Sequence, residues 1–442
     1  MRRQNLKLLL IGLLISQGLR ATDNAHFYKS ANLHRNPTAC WFDDQQYYGI
    51  SDWLWKVEDN LMYGDARSGW DKNGHSTNIL NDTGFYDMAW LFENVQITDP
   101  TIQNHANFMK SFTESVSYDP DDTFGKLKFD GKFEMWESNY QVRKNLKKGF
   151  FLEARVPVRE VKIKNVSYAD QSPEHGVFSQ ERAEWIQFKN DLNAILNAYD
   201  YKPYTTPYGK TGLGDISLLL GWEDIFEKRN DEGEDVFTLD LSARLGFLCP
   251  TGERVKTNYI FSLPTGYNHH WGLTGSLELD FGVLKWLSID LFGGFTWFFD
   301  ENRREMRMQT FSEQNGHIML AKGIAKEEKG ALWYLGADLK FDHFWKGLSG
   351  IFGYSYNRQE EDTINPNDTT LFDKTAVNNN SMLHGWYSHV LHFMLDYDFS
   401  IHMKETTKWA PRVNVFYDLP VDGKNAYKTD PIGAGIGVDL LW

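Results

Sequence analysis

Cysteine is almost absent from this 442-residue chain, which carries Cys40 and Cys249 and no others. One pair cannot staple a small fold, so a disulfide scaffold is excluded; whether the two pair is left open. Long apolar runs are missing too. Beyond Leu8–Ile15 no stretch approaches the roughly 18 consecutive apolar residues of a membrane-crossing helix. Positive charge is in short supply: 46 Lys and Arg stand against 60 Asp and Glu, a net charge of −14, which argues against nucleic acid as a partner. Ligand and catalytic spacings are lacking as well. His269-His270, His384, His389 and His392 have no Cys or carboxylate at metal-ligand spacing. Ser388-His389 is an isolated dipeptide, whereas a catalytic Ser needs a His and an orienting partner in reach. No catalytic, cofactor-binding or metal site is expected, no cofactor is assigned, and the chain does not read as an enzyme.

What is present is aromatic: 16 Trp, 21 Tyr and 30 Phe, in a chain whose mean hydropathy is −0.51. Residues 1–21 read as a secretory signal, with Arg2, Arg3 and Lys7 before the apolar run and Ala21 at the expected cleavage point. Removing them takes away four basic residues and no acid, moving the net charge from −14 to −18. Cys40 lies too far beyond the run to be a lipoprotein cysteine. The mature chain divides into residues 22–124, holding the first strand and a segment expected in the periplasm or as a plug, and residues 125–442, which alternate.

Period-two alternation marks strands over Leu127–Val142, Phe150–Ile163, Leu213–Ile225, Val236–Leu248, Trp271–Gly282, Trp286–Phe299, Ala331–Asp342, Leu348–Arg358, Trp386–His402, Pro411–Asp418 and Ile432–Trp442. Phe237, Leu239, Leu241, Ala243, Leu245 and Phe247, for example, alternate with Thr238, Asp240, Ser242, Arg244 and Gly246. Connections between these runs alternate without exception, short ones of about 3–10 residues with long ones of about 13–49, the pattern of an antiparallel transmembrane barrel with short periplasmic turns and long external loops. An exported chain begins in the periplasm and Leu127–Val142 descends, so an odd number of strands precedes it: one gives 12 strands, three give 14. Twelve is the expectation, with Trp53–Tyr63, Gly84–Ile97 and Asn107–Tyr118 as candidates for the missing strand. Aromatic residues collect at both ends of the runs, Trp286, Trp345 and Trp409 on the short-turn side and Trp271, Trp297, Trp333 and Trp386 on the other, as interfacial girdles do. Trp185, Phe188, Leu192, Ile195, Leu196 and Tyr199 break the pattern and predict a helix in the longest external loop.

In the last run Ile432, Ala434, Ile436, Val438, Leu440 and Trp442 form one apolar file against Gly433, Gly435, Gly437 and Asp439. Gly437, Leu440 and Trp442 resemble the terminal assembly signal of bacterial outer-membrane barrels, which implies barrel-assembly machinery and outer-membrane lipid as partners. The other file of each strand would line the lumen: Glu153, Arg155, Arg159, Asp215, Asp240, Arg244, Glu278, Asp280, Asp290, Asp338, Lys340, Asp396, Asp398, Arg412 and Asp418. Charge on the lipid face costs up to about 2–4 kcal/mol at mid-membrane, so the expectation is that charge keeps to the inward face. Acids outnumber bases there, which favours cations along a watery path.

Thr211–Trp222 reads TGLGDISLLLGW, and a hairpin later Leu245–Val255 reads LGFLCPTGERV. Gly212, Gly214 and Asp215 opening one strand, with Pro250, Thr251 and Gly252 closing the next, resemble the outer-membrane proteins associated with the phenol-degradation meta pathway. Those are related to transporters of long-chain fatty acids and aromatic hydrocarbons. Pro264-Thr265-Gly266 repeats the second motif. The resemblance implies a barrel for uptake of small, hydrophobic molecules; the long N-terminal region and acidic inward face depart from it. The expected function is therefore passive uptake of small solutes, hydrophobic, aromatic or cationic. A closed barrel with binding loops, a lipid-modifying barrel enzyme and a secreted soluble β protein are the alternatives. Deleting Trp442 is expected to lower the yield of membrane-inserted protein, scored by the heat-shifted gel band, far more than the conductance of molecules that do insert.

Overall fold

The computed structural model describes residues 53–81, 84–114, 123–176, 178–229, 235–284, 286–299, 302–314, 316–403 and 408–441. The signal segment, Cys40 and Trp442 lie outside the described residues. Twelve antiparallel strands close on themselves: β1 Trp53–Ala66, β2 Lys126–Asn145, β3 Phe150–Asp170, β4 Ile216–Arg229, β5 Asp235–Cys249, β6 Gly272–Leu284, β7 Leu287–Phe298, β8 Leu332–Trp345, β9 Leu348–Gln359, β10 Trp386–Asp398, β11 Trp409–Lys424 and β12 Ile432–Leu441. Each pairs with its chain neighbours. β12 pairs with β1, in a register running from Trp55↔Leu440 to Tyr63↔Ile432. Closure leaves no open edge, the condition for a sheet surrounded by lipid. No helix among the described residues is long and apolar enough to cross a membrane.

The turns explain the pairing. At the β2–β3 and β8–β9 connections Lys148-Gly149 and Lys346-Gly347 both have positive φ (63° and 77°, 45° and 88°), as tight hairpin turns require. A Cβ on Gly149 would fall 2.1 Å from the Glu223 carbonyl oxygen, so the turn admits only glycine there. Opposite ends of the strands carry the long connections, and β2 and β3 reach past the others on that side. Their outward residues there are charged and paired: Lys132 with Asp65 (3.0 Å) and Glu134 (3.2 Å), Lys164 with Glu134 (2.5 Å), Lys162 with Glu160 (2.6 Å). This ladder marks where the wall leaves the bilayer. Below it the outward file turns apolar and exposed, as at Leu61, Leu218, Leu245, Leu277, Leu335 and Ile436.

Four expectations need correction. Of the three candidates for the first strand, Trp53–Tyr63 is β1; Gly84–Ile97 adds only the Tyr86–Asp87 pairing at the start of β2, and Asn107–Thr113 is helical, residues 115–118 lying outside the described residues. Helix α1, Pro100–Thr113, occupies much of that region, started by Pro at N1 and by Asp99, whose side chain accepts the Thr101 N–H at 2.7 Å. The run Leu213–Ile225 is split, Tyr208–Leu213 pairing with upper β3 and β4 with lower β3, because the Leu213 and Gly214 carbonyls and the Asp215 carboxylate bond to the Pro250–Trp271 connection, while the Gly214 N–H alone stays on the Pro157 carbonyl of β3. The run ending at His402 stops at Asp398 and continues as a 3₁₀ turn. Charge does not keep wholly to the inward face: Asp59 of β1 points outward between Val57 and Leu61. It is tolerated because Ser138 Oγ on β2 donates to its carboxylate at 2.7 Å.

Above the barrel the outer connections fold into a cap. Helix α2, Ala183–Ala198, buries Trp185, Phe188, Leu192, Ile195 and Leu196, as its 3.6-residue period requires. They pack with Met109 and Phe112 of α1, with Phe124, and with the inward Phe129, Phe133, Val161 and Ile163 of the β2–β3 extension. Leu277, midway along β6 and facing outward, offers the test of the bilayer register. Leu277→Arg is expected to cost about 2–4 kcal/mol in urea unfolding from vesicles, while the same change at the outer ladder costs about 0–1 kcal/mol.

Candidate functional site: a charged lumen under a tied cap

Inside the barrel, below the cap, most inward positions are polar or glycine, with apolar side chains such as Phe151, Leu219 and Phe292 set among them. All fifteen residues expected to face the lumen lie on inward positions, and most are buried, including Glu153, Arg159, Asp215, Arg244, Glu278, Asp290, Asp338, Lys340, Asp396, Asp398, Arg412 and Asp418. Arg155, Asp240 and Asp280 are partly exposed. The structure brings many of them together across strands. Glu153 pairs with Arg155 and, at 3.3 Å, with Arg244, whose other nitrogen reaches Glu278 at 3.1 Å. Lys340 then gathers Glu278 (3.3 Å), Asp280 (3.1 Å) and Asp290 (3.5 Å). Arg412 lies 3.7 Å from Asp439.

Glu58, Asn60, Glu137, Arg143 and Ser355 are lumen residues that alternation does not single out, and they meet inward residues that it does, among them Arg159, Glu223, His392 and Asn414. Glu137 pairs with Arg159, and Arg143 with Glu223 at 2.5 Å, the Arg143 guanidinium sitting 3.8 Å from the centre of the Phe151 ring. Asn60 and Asn414 donate to Glu58, at 2.5 and 3.3 Å. Ser355, His392 and Asp418 line up across β9, β10 and β11, with Ser355 Oγ 2.7 Å from His392 Nε2 and His392 Nδ1 2.8 Å from Asp418 Oδ1. Alternation says which residues face inward; only the strand register says which of them meet.

Next to Met394 and Phe416, the lumen carries an apolar quartet with Met62 and Ile351. These sit one inward position further toward the short turns than His392 and Asp418.

The motif residues meet at one place, where the wall splits at Gly214. Asp215 accepts the backbone N–H of Gly252 at 2.7 Å and of Tyr267 at 2.5 Å. The two Pro-Thr-Gly turns act alike: Thr251 Oγ1 donates to the Gly214 carbonyl and Thr265 Oγ1 to the Leu213 carbonyl, both at 2.6 Å. Arg159 of β3 closes the knot on the Thr265 carbonyl at 3.0 Å. A Cβ on Gly266 would lie 2.3–2.5 Å from the Asp215 carboxylate, so close approach demands glycine there. The break therefore fastens the Pro250–Trp271 connection to the wall.

A second tie binds the cap to itself. Glu327 is met by Arg304 at 2.7 Å, His270 at 3.4 Å and Lys329 at 3.8 Å, and Lys329 reaches Asp362 at 3.4 Å. Burial alone would raise the Glu327 pKa; Arg304, His270 and Lys329 outweigh it and hold the carboxyl well below the usual carboxylate range. Within the cap a cavity of about 80 Å³ lies between Tyr201, Met306, Met308, Met319, Ile364 and Leu383. That is roughly half the volume of a cavity that accepts benzene, so the cap holds no roomy preformed apolar site at this point.

No family model and no curated protein matches the sequence. Solved structures do. The chain is similar to the COG4313 outer membrane channel from Pseudomonas putida F1, with 11% identity and a TM-score of 0.44 over 90% of this chain and 100% of that one. It is similar to a Pseudomonas aeruginosa FadL homologue, at 9% identity and a TM-score of 0.32 over 96% and 98% of the two chains. The Ralstonia pickettii toluene transporter TbuX follows at 9% identity and a TM-score of 0.31, covering 93% of each. On its own geometry, closed strands with an apolar outer belt and a charged interior, the protein is a transmembrane β-barrel.

Asp215→Ala would leave the Gly252 and Tyr267 N–H groups without their acceptor, at about 1–3 kcal/mol each. Limited proteolysis of the folded protein is expected to cut the Pro250–Trp271 connection faster in that variant, with the barrel core still protected.

Proposed function

We propose that the protein is an outer-membrane channel through which small solutes pass down their gradient, with a preference for cations. The observation that carries this reading is the charge of the inward file. Among the described residues, inward carboxylates outnumber inward Lys and Arg by about two to one. Arg143, Arg155, Arg159, Arg244, Lys340 and Arg412 are each held within 4 Å of a carboxylate. Bases so neutralised offer little to an anion, and the excess acids set the sign of the field along the path. Passage of this kind needs no cofactor. The sequence resemblance favours hydrophobic permeants, and Phe151, Leu219 and Phe292 join the Met62, Ile351, Met394 and Phe416 quartet on the inward face, but the charged residues beside them support polar permeants better.

Reversal potentials across a planar bilayer under a salt gradient test the reading. Cation preference is expected, weakened in Asp290→Asn and Asp338→Asn. Preference for anions would overturn it.

A further inference from the structure

Outside the ion-pair ladders, Ser355, His392 and Asp418 form a hydrogen-bonded row on the inward face. These come from three adjacent strands and are each at most 3% exposed. His392 sits directly opposite Asp418 across the β10–β11 ladder and opposite Gly353 across β9–β10; Ser355 is one inward step along β9. Ser355 Oγ lies 2.7 Å from Nε2 and Asp418 Oδ1 2.8 Å from Nδ1; an ionised carboxylate can only accept, which puts the proton on Nδ1 and leaves Nε2 of the neutral ring to accept from the hydroxyl. That is the order and reach of a nucleophile, its general base and the carboxylate that fixes the tautomer. Ion pairing with a lumen base would have used Asp418 alone; here the imidazole is held at both nitrogens, one of them on a hydroxyl.

We propose that this trio is an acyl-transfer site, cleaving small carboxylic esters that enter the lumen. Ser355 Oγ attacks the ester carbonyl carbon while its proton passes to His392 Nε2, and Asp418 stabilises the imidazolium. Collapse of the adduct breaks the carbon–oxygen bond, and the departing alkoxide takes the proton from Nε2. Water then attacks the acyl-serine with His392 as base, releasing the acid and restoring Ser355, so ester and water give acid and alcohol. The Asn357 amide, which donates to Ser355 Oγ at 3.1 Å and is 1% exposed, is the donor placed to meet the developing oxyanion. The substrate class follows from the surroundings. Val390, 1% exposed and directly opposite Ser355 across the β9–β10 ladder, is the apolar side chain beside the nucleophile, with Met394 and Phe416 one inward step beyond His392 and Asp418, so the acyl chain is short and apolar. Asp338, whose carboxylate stands against Gly353, adds negative charge beside the imidazole, so the ester is neutral or cationic, not anionic.

This goes beyond passage of solutes, and it requires that an ester reach the lumen but not that ions flow. The test uses the full chain purified in detergent, with a fluorophosphonate probe and p-nitrophenyl butyrate. Peptide mapping is expected to find the phosphonyl group on Ser355, and ester hydrolysis to vanish in Ser355→Ala. His392→Gln and Asp418→Asn are each expected to slow labelling by at least about 100-fold. The heat-shifted gel band reports whether each variant is folded. Folded wild-type protein that leaves Ser355 unlabelled, or labels equally fast in folded His392→Gln, overturns the proposal. Conductance read on the same preparation shows separately whether the channel reading stands.

Discussion

Everything in this molecule depends on the pairing of its first strand with its last. In hydrocarbon an unpaired backbone N–H or C=O costs several kcal/mol, so a sheet can sit there only if it has no edge. β12 supplies what closure needs: an unbroken outward apolar file, and an inward file of Gly433, Gly435 and Gly437 that lies against Phe416, Asn414 and Arg412 of β11. β1 meets it with ten paired positions and one anomaly, Asp59, opposite Ile436. The wall bends where it can be compensated. At Gly214 the ladder between β3 and β4 is interrupted, but the freed carbonyls take threonine hydroxyls and Asp215 takes two backbone N–H groups. Polar groups lost to the sheet are thus recovered by the loop, and the cap becomes part of the wall.

How much of this could be read from sequence varied with how cleanly two faces differ. From β2 onward the alternation located every strand, and Leu348 and Ile432 begin their strands where the pattern begins, but β3 runs on past Ile163 to Asp170 and β11 past Asp418 to Lys424. β1 was indistinct for a physical reason: Asp59 interrupts its outward file and Met62 its inward one, so neither face is pure. α1 could have been read from Asp99-Pro100 and from Ile102, Ala106, Met109 and Phe112 at helical spacing, a signal masked by its Thr, Asn and Ser content. The break at Gly214 could not, because alternation continues straight through it; the cause lies 37 residues away in the Gly252 N–H. Inward residues were legible, since parity fixes the face. Their partners were not, since pairings such as Lys340 with Glu278 or Ser355 with His392 depend on the stagger of strands.

The buried charges of the lumen are weak evidence of stability. Taking an Arg and a Glu out of water costs several kcal/mol per ion, and mutual attraction often does no more than offset it. Apolar side chains would line a small barrel more cheaply, as Met62, Ile351, Met394 and Phe416 do on one side of it. A lumen lined instead by cross-linked acids and bases has therefore kept a polar path at some energetic cost. Ion pairing limits that cost and holds the long Arg and Lys side chains against the wall. Several of the remaining acids are held instead by neutral donors, as Glu58 is by Asn60 and Asn414 and Asp215 by backbone N–H groups, which leaves the net charge negative.

Along one strand pair the lumen changes character within a few residues. On β10 and β11, Asp396 and Arg412 lie toward the short turns, Met394 and Phe416 above them, then His392 and Asp418. A solute crossing this level meets a charged ring, an apolar shelf and a hydrogen-bonding trio over four inward positions, about 20 Å of strand at ~3.3 Å per residue. The charged ring suits a cation and the apolar shelf suits a hydrocarbon. A small molecule with an apolar end and a neutral or positive polar end suits each in turn. The order of side chains on two strands thus sets a narrower chemical filter than net charge alone, and places a nucleophile where that molecule would pause.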